Sequence, residues 1–408
     1  MPGGVSGRGA ALVAALAVVV CAPGCTSSAP PEKREKPESS PSAPYRGNRG
    51  YDLPDDPFTR EGTVVTATCS MGARYAGVNV EAWDAERWEL RGTRNFFIPV
   101  DTAFSNVSGV KEVNSPLVEL CGVSRYSPSP YEVDDLEYVT PRVRALFDLA
   151  FTRMAVVLRD PDDAGTSHVG YVESGGNADD FVRLGEGAGA DEQNAVMSPD
   201  GRAVWFTYRT AEGEYRIGSR PAEGDHRLSD EGPASGHELP LVVSGKPAVA
   251  VQANMVRLAP SGRRLTATVP KLFGHVFDTL GSTGTLTAKS ARSAVLLSGC
   301  LGIVGWVDDK RVLCRNKAGS FRTVDARSGR AEGATVAVVR EEEGLAAQGM
   351  VVSPDGEKFI AAVHLPNDRS GDRGGSTDFR VVSTSGEGPA TPVFPRGLSN
   401  NSVFVEWW

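Results

Sequence analysis

The sequence predicts an all-β protein built from a repeated unit of four strands. Three observations lead to this fold class: many short β-rich runs, frequent turn residues and a hairpin motif that recurs along the chain. The 408 residues include 46 Gly and 27 Pro, and long runs of Ala, Leu, Glu and Lys at helical spacing are missing. A hydrophobic fraction of 40% is sufficient for a core.

The recurring motif is a β-rich run, a tight turn and a second β-rich run. It occurs in four segments: 195–208, 256–268, 304–315 and 350–363. Two of the turns read Ser-Pro-Asp-Gly, and their residues are Ser198, Pro199, Asp200 and Gly201, and Ser353, Pro354, Asp355 and Gly356. Proline holds φ near about −65°, which suits the second position of a turn, and glycine accepts the positive φ at which the chain reverses. Each segment is therefore predicted to be a β-hairpin.

The turns recur about every 50 residues, and two further strand candidates follow each hairpin. Four strands per repeat form one blade of a β-propeller. A weaker unit covers 149–184, and the chain ends in a single strand, 402–408, that has no partner in its own repeat. We expect this strand to pair with N-terminal strands at 62–68 and 77–81, because such pairing closes the ring and removes exposed edges.

The number of blades depends on the segment 100–148, which is the least regular part of the folded region. Counting gives seven blades, with six as the alternative, and this segment decides between them. The longest sequence interval between successive turns runs from Ser198 to Ala259. We attribute it to an inserted loop, 224–237, that is rich in Gly, Pro and charged residues.

These repeats resemble the WD40-like propeller repeats of TolB-like proteins. The resemblance covers about 150–408 and is carried by the two Ser-Pro-Asp-Gly turns, the Ala-Pro-Ser-Gly turn at Ala259 and the Trp-Val-Asp-Asp variant at Trp306. It implies a propeller fold and, by analogy with the family's periplasmic members, a place in protein–protein assemblies at the cell envelope. It implies no particular partner, because propellers host binding proteins and enzymes alike. A composition with more Arg than Lys and abundant Ala and Gly is similar to that of an actinobacterium.

The first 25 residues resemble a lipoprotein signal peptide. Ala10 to Val20 is an unbroken apolar run of a length typical of a signal-peptide core and too short to span a bilayer. Small residues, Ala22 and Gly24, precede Cys25 as in a lipobox, where the cysteine thiol is acylated, for example with palmitate. The alternative is an ordinary secretory signal cleaved nearby. We expect Cys25 to hold the chain by lipid on the extracytoplasmic face of the cell membrane.

The predicted organisation has three parts: a signal peptide at 1–25, a tether at 26–60 and a propeller domain at 61–408. The tether is polar and rich in Pro and Ser, so it cannot bury enough surface to offset the entropy of ordering. It is therefore predicted to be disordered and to connect the membrane with the folded domain.

Four cysteines lie beyond the lipobox, and an even number in an exported domain suggests disulfides. We expect the pairs Cys69–Cys121 and Cys300–Cys314; the second pair flanks a hairpin turn, and a bulge would bring its members together. Four buried free thiols are the alternative. A Cys₄ metal site is disfavoured because the sequence has no Cys-x-x-Cys pair.

No motif in the sequence indicates catalysis, a cofactor or a metal. None of the five histidines forms a metal-binding pair at i, i+4 spacing, and no Gly-x-Ser-x-Gly elbow or phosphate-binding loop is present. The net charge of −8 lies in the folded part, which argues against nucleic acid as a partner.

The favoured hypothesis is a non-catalytic binding or scaffold protein at the cell envelope whose partner is a protein or a glycan. One alternative is a propeller hydrolase or lyase with residues from several blades at the mouth of the channel. Another is the sensory ectodomain of a signalling pair. The contents of the channel distinguish the first two, because an enzyme needs several polar groups that face one pocket.

Overall fold

The computed structural model describes part of the chain, and all described residues lie in the unit Ala43–Trp408 rather than in the unit Met1–Ser42. The predicted signal peptide, Cys25 and the tether up to residue 54 lie outside the described residues. The described ranges are 55–100, 115–125, 136–159, 166–177, 179–185, 191–234, 239–243, 246–251, 254–261, 264–268, 274–278, 295–317, 319–339, 345–364, 377–393 and 397–408.

These ranges are dominated by β-strands, with two helices between β3 and β4. The helices are α1 (Ser115–Arg125) and α2 (Leu136–Arg144). The strands of the first half are β1 (Thr63–Met71), β2 (Tyr75–Asp84), β3 (Leu90–Pro99), β4 (Arg153–Arg159), β5 (Ser167–Glu173), β6 (Phe181–Arg183), β7 (Asp191–Met197), β8 (Ala203–Arg209), β9 (Tyr215–Pro221), β10 (Ser229–Pro233), β11 (Leu239–Val243) and β12 (Lys246–Val251). Those of the second half are β13 (Asn254–Leu258), β14 (Arg264–Thr268), β15 (Gly274–Asp278), β16 (Val295–Leu296), β17 (Gly302–Trp306), β18 (Arg311–Lys317), β19 (Ser320–Asp325), β20 (Ala331–Ala337), β21 (Ala346–Val352), β22 (Lys358–His364), β23 (Thr377–Ser383), β24 (Thr391–Val393) and β25 (Val403–Trp407).

The strands form several antiparallel sheets in which neighbours in sequence are neighbours in space. Three four-stranded sheets have the simple order β13-β14-β15-β16, β17-β18-β19-β20 and β21-β22-β23-β24. A larger sheet has the order β10-β9-β8-β7-β5-β4, with β6 on β5, and a parallel bridge from Ser167 to Asp191 joins β5 to β7. The described chain is therefore all-β and built from repeated hairpins, as the sequence predicts.

The C-terminal strand pairs with the N-terminal strands in a fourth four-stranded sheet, β25-β1-β2-β3. In this sheet, which we call sheet A, Ala67 lies opposite Val403 and Val64 lies opposite Trp407. The backbone N–H of Trp408 also donates to the carbonyl of Thr63 at 2.8 Å. The predicted pairing of the two ends of the folded region is thus present.

The Ser-Pro-Asp-Gly turns have the conformation that their residues require. Gly201 and Gly356 have φ of 69° and 75°. The Ser198 hydroxyl accepts from the N–H of Ala203 at 2.9 Å, and the N–H of Lys358 donates to the Ser353 hydroxyl at the same distance. The serine side chain thereby satisfies the first backbone donor of the strand that follows each turn. Gly262, the glycine of the third predicted turn, lies outside the described residues.

A further turn of this type was missed because it contains neither Pro nor Gly. The N–H of Asp148 donates to the carbonyl of Arg153 at 3.2 Å, as that of Ser198 donates to Ala203 at 2.8 Å. Phe151 occupies the position of the turn glycine and has φ of 56°. The carboxylate of Asp148 accepts from the N–H of Thr152 at 2.7 Å and offsets part of the strain.

Two expectations about irregular segments are corrected. The described part of 100–148 forms α1 and α2, and Phe147 adds only an isolated bridge to Met154 on β4. The long step after Ser198 comes from an extra hairpin, β11–β12, while the supposed loop 224–237 contains β10, the outer strand on β9. Polar, Gly-containing strands at a sheet edge resemble loops in sequence, because only one side of them is paired.

Both expected cysteine pairs are bonded. Cys69 on β1 is linked to Cys121 on α1, and Cys300 is linked to Cys314 on β18. Ile303 lies opposite Cys314 in the hairpin, so Cys300 is three positions away from the residue that faces its partner. A register shift between Ile303 and Gly305 also supplies the anticipated irregularity.

Candidate functional site

Helix α2 lies where four sheets meet. It contacts the first strand of each, namely β13, β17, β21 and β25. Its nine residues span about 13 Å at 1.5 Å per residue, which is comparable with the length of the strands around it. Among the side chains of α2 that the structure describes, those of Val139, Thr140 and Val143 are buried, and none of these three titrates.

The C-terminal end of α2 is held by Arg144. Its Nε donates to the Glu406 carboxylate at 2.7 Å, and its Nη1 donates to the carbonyls of Phe147 and Asp148 at 3.0 and 3.2 Å. The guanidinium also stacks on the ring of Phe151, with 4.5 Å to the ring centre. A cation in the last turn also complements the helix dipole. These contacts connect α2 to both β25 and the turn before β4.

Helix α1 connects the pair of helices to sheet A. The Cys69–Cys121 disulfide joins α1 to β1, and Arg142 of α2 donates to the Glu119 carboxylate of α1 at 3.0 Å. Both charged side chains are largely buried, with exposures of 16% and 13%, so solvent screens this ion pair less than one at the surface. The helical segment is therefore fixed covalently and electrostatically.

A buried ionic cluster lies where β5 and β7 begin. Glu192, which is 1% exposed, accepts from the Arg220 guanidinium at 2.7 and 2.9 Å and from the N–H of Val169 at 2.9 Å. The Ser167 hydroxyl donates to the carbonyl of Glu192 at 2.8 Å. These donors neutralise and hydrogen-bond the carboxylate, so the cluster ties β5, β7 and β9 together within the larger sheet.

His364 lies at the end of β22, where it is almost completely buried. It is 3% exposed, Thr377 lies 3.4 Å from its Nδ1, and its Nε2 has no partner among the described residues. Burial lowers the pKa of His364 to about 4, because an apolar surrounding disfavours the imidazolium.

Protonation of His364 is expected to reduce stability in acid. Below pH 6.5 the unfolded chain binds this proton, whereas the folded protein does not until about pH 4. The free energy of unfolding should therefore fall by up to about 3 kcal/mol as the pH drops through this window. Urea denaturation of His364→Gln should show a flatter pH dependence than the wild type. Equal slopes in the two proteins would contradict the assignment.

Two cavities in the described part of the chain lie beside sheet edges. One, of about 310 Å³, adjoins a Ser-Pro-Asp-Gly turn and has a lining of Asp148, Thr152, Arg153, Glu173, Ser174, Asp200 and Gly201. Its carboxylates are already engaged: Glu173 with Arg153 at 3.1 Å and Asp200 with the Ser198 hydroxyl at 2.7 Å. The described residues contain no group of three His, Cys, Asp or Glu placed to hold a metal ion.

The second cavity, of about 470 Å³, is a cleft on sheet A, and we call it the sheet A cleft. It lies between one face of the sheet and the segment that leads into β25, with a lining of Thr68, Cys69, Ser70, Met71, Gly77, Asn79, Ser399 and Asn401. All its polar side chains are neutral. Glu81, two residues after Asn79 on β2, adjoins the lining; burial raises the pKa of Glu81, and a hydrogen bond from Asn79 at 2.9 Å opposes this rise.

The residues singled out from the sequence are not brought together in one site. The turns of Ser198 and Ser353 belong to different sheets, and the four cysteines form two separate disulfides. Trp306 is buried and donates to the carbonyl of Arg257 at 3.1 Å, which agrees with a packing role. The sheet A cleft was missed, although its signal is present: β2 alternates buried with half-buried residues, and its half-buried set includes Asn79 and Glu81.

No protein-family model matches the chain, and no curated protein matches its sequence. Solved structures similar to it include TolB from Acinetobacter baumannii, which is 12% identical with a TM-score of 0.28 over 84% of this chain and 83% of that one. A prolyl endopeptidase is 10% identical with a TM-score of 0.39, over 84% and 51% of the two chains. An oligogalacturonate lyase in complex with manganese is 9% identical with a TM-score of 0.30, over 60% of each. Similarity of this strength assigns the chain to none of these families. Among the described residues, no helix is both long and apolar enough to cross a bilayer.

Proposed function

We propose that this protein is a non-catalytic binding or scaffold protein whose β-propeller has a channel filled by its own helix α2. The observation that carries this proposal is the contact of α2 with the first strands of four sheets. In a propeller those first strands line the channel. A hydrolase or lyase with a site in the channel would need several polar groups there, whereas Val139 and Val143, two of the described side chains that α2 buries, are apolar.

The sheets support six blades rather than seven. Four blades are sheet A and the three simple sheets of the second half. The larger sheet divides into two more, β7 to β10 and a unit in which the Phe147 bridge precedes β4, β5 and β6. In this count, the β11–β12 hairpin is an addition between two blades. Helix α2 takes most of the place of the first strand in the blade that contains β4, β5 and β6.

The proposal places the protein at the cell envelope, tethered through Cys25, where its partner is a protein or a glycan. A lipid-anchored domain without a channel site is suited to hold a partner near the membrane. The predicted tether at 26–60 is polar and rich in Pro and Ser, a composition that suits a spacer between a membrane and a domain.

The anchor can be tested by changing Cys25→Ala. We expect this variant to accumulate as an uncleaved precursor or to appear in the medium, because the acyl chains supply the membrane affinity. Cys21→Ala, four residues earlier, is the matched control and should fractionate with membranes as the wild type does. Mass spectrometry of the mature wild type should show acyl chains on Cys25; a mature form without them would refute the anchor.

The binding role can be tested with the purified full chain in detergent micelles. Co-sedimentation with isolated peptidoglycan and cross-linking to envelope proteins should give at least one saturable complex, and the bound material should keep its mass. Formation of a product that disappears with a single point substitution would overturn the proposal in favour of an enzyme. Absence of any saturable complex would also overturn it.

A further inference from the structure

The polar face of sheet A is organised in rows that cross its strands. On β1, β2 and β3, residues directly opposite each other have their side chains on the same face. Thr68 lies opposite Asn79, which lies opposite Asn95. In the next row, Ser70 lies opposite Gly77, which lies opposite Phe97.

The other face of the sheet packs into the core. Val78 and Val80 on β2 and Phe96 and Ile98 on β3 are fully buried in one hydrophobic cluster. The polar rows therefore do not result from a strand that is exposed on both sides. Thr68, Ser70, Gly77 and Asn79 of these rows line the sheet A cleft, whose volume of about 470 Å³ lies in the range of about 300–1,000 Å³ that is typical of small-molecule sites.

The hydrogen-bonding groups in the cleft are weakly engaged with each other. The Thr68 hydroxyl lies 3.5 Å from the carbonyl of Asn79, and the Ser70 hydroxyl lies 3.3 Å from that of Gly77. Hydroxyl donors in strong bonds lie at about 2.7–2.8 Å. The amide nitrogen of Asn79 is directed to Glu81, and its buried Oδ1 has no partner in the described part of the chain. A ligand that replaces the two long hydroxyl bonds of Thr68 and Ser70 would therefore sacrifice little.

Gly77 and Phe97 shape the same region. A Cβ on Gly77 would lie 3.1 Å from the Ser70 oxygen and 3.9 Å from the Phe97 ring, so the glycine keeps the floor of the cleft open. The Phe97 side chain is 40% exposed although it lies in the middle of a strand next to buried neighbours. Phe97 is not part of the cleft lining, but its ring lies next to Gly77 and offers an aromatic surface beside the cleft.

We infer that the sheet A cleft binds a neutral saccharide segment. Hydroxyl and amide side chains both donate and accept, as sugar hydroxyls do, and the aromatic ring suits the C–H face of a sugar. Because no side chain in the lining is charged, nothing there would hold an anionic or cationic ligand by an ion pair. This inference rests on the proposed binding function and gives it a location and a class of ligand.

The test uses the full chain in detergent micelles and three neutral probes: linear hexasaccharides of glucose, mannose and N-acetylglucosamine. Isothermal titration calorimetry should show saturable binding of at least one of them. Asn79→Ala and Phe97→Ala should each weaken that binding by about tenfold or more, which corresponds to about 1.4 kcal/mol. Leu90→Ala is the matched control, because Leu90 is an equally exposed apolar residue at the far end of the same strand.

The possible failures are distinguishable. If none of the hexasaccharides binds, or if binding is unchanged in both variants while their melting is that of the wild type, the saccharide site is refuted. A complex with an envelope protein that persists in both variants then leaves the proposed binding function intact. Cleavage of a bound hexasaccharide would instead refute the non-catalytic function, while loss of binding in the two variants would still support the cleft.

Discussion

Gly356→Ala should destabilise the protein by at least about 3 kcal/mol, measured as the free energy of unfolding in urea. Gly356 has φ of 75°, and a residue with a Cβ pays about 1–3 kcal/mol for that conformation. In addition, the new Cβ would collide with the backbone carbonyl of Val307 in the preceding sheet and lie 2.9 Å from its Cγ1. Because the obstacle is backbone, relief requires the two sheets to move apart.

Substitutions at two other glycines separate the conformational cost of positive φ from the cost of the steric contact. Gly388 has φ of 80°, and no atom lies within 4 Å of a new Cβ. Gly388→Ala should therefore lower the free energy of unfolding only by the conformational cost of positive φ. Gly201, in the equivalent turn, has Asp148 Oδ2 at 3.2 Å, and Gly201→Ala should lie between the two. Equal destabilisation of all three variants would show that contact between successive sheets contributes nothing at Gly356.

Removal of the Cys69–Cys121 disulfide should cost about 4 kcal/mol. The bond closes a loop with a sequence separation of 52, and the chain-entropy relation assigns about this value to such a loop. The variant Cys69→Ser/Cys121→Ser avoids leaving a free thiol. It should also raise hydrogen exchange in α2, because α1 then keeps only non-covalent contacts such as the Arg142–Glu119 pair.

The second disulfide provides the comparison. Cys300 and Cys314 are separated by 14 residues, so Cys300→Ser/Cys314→Ser should cost about 3 kcal/mol and leave exchange in α2 unchanged. If the loss of Cys69–Cys121 left both the unfolding midpoint and the exchange of α2 as in the wild type, the proposed role of this bond in holding the helices would be wrong.

Signals in the sequence were sufficient to predict the repeated hairpins and the pairing of the last strand with the first. Ser-Pro-Asp-Gly determines its turn through the restricted φ of proline and the freedom of glycine, so Gly201 and Gly356 could be assigned without coordinates. The turn at Asp148–Phe151 could not, because Phe151 is forced to positive φ by hydrogen bonds to the Asp148 carboxylate that follow from the surrounding fold.

The candidate site depended on tertiary structure to a greater degree. None of Thr68, Asn79 and Phe97 belongs to a motif, and alternation in β2 shows only that one face is polar. Whether that face is covered by a neighbour or left open as a cleft depends on the packing of sheet A against the segment before β25. That packing depends on residues far apart in the chain, which a local pattern does not encode.

By itself, the sequence determined that the chain is all-β and built from recurring hairpins. It also determined that the last strand pairs with the first strand, and which cysteines form the two disulfides. These features depend on short-range turn chemistry and on the need of an unpaired strand for a partner. Tertiary structure alone decided that 115–144 supplies helices, that α2 lies against four sheets, and that a neutral polar cleft remains on sheet A. The reason is that the position of a helix or a cavity is set by the combined shape of many distant side chains, and no single segment carries that information.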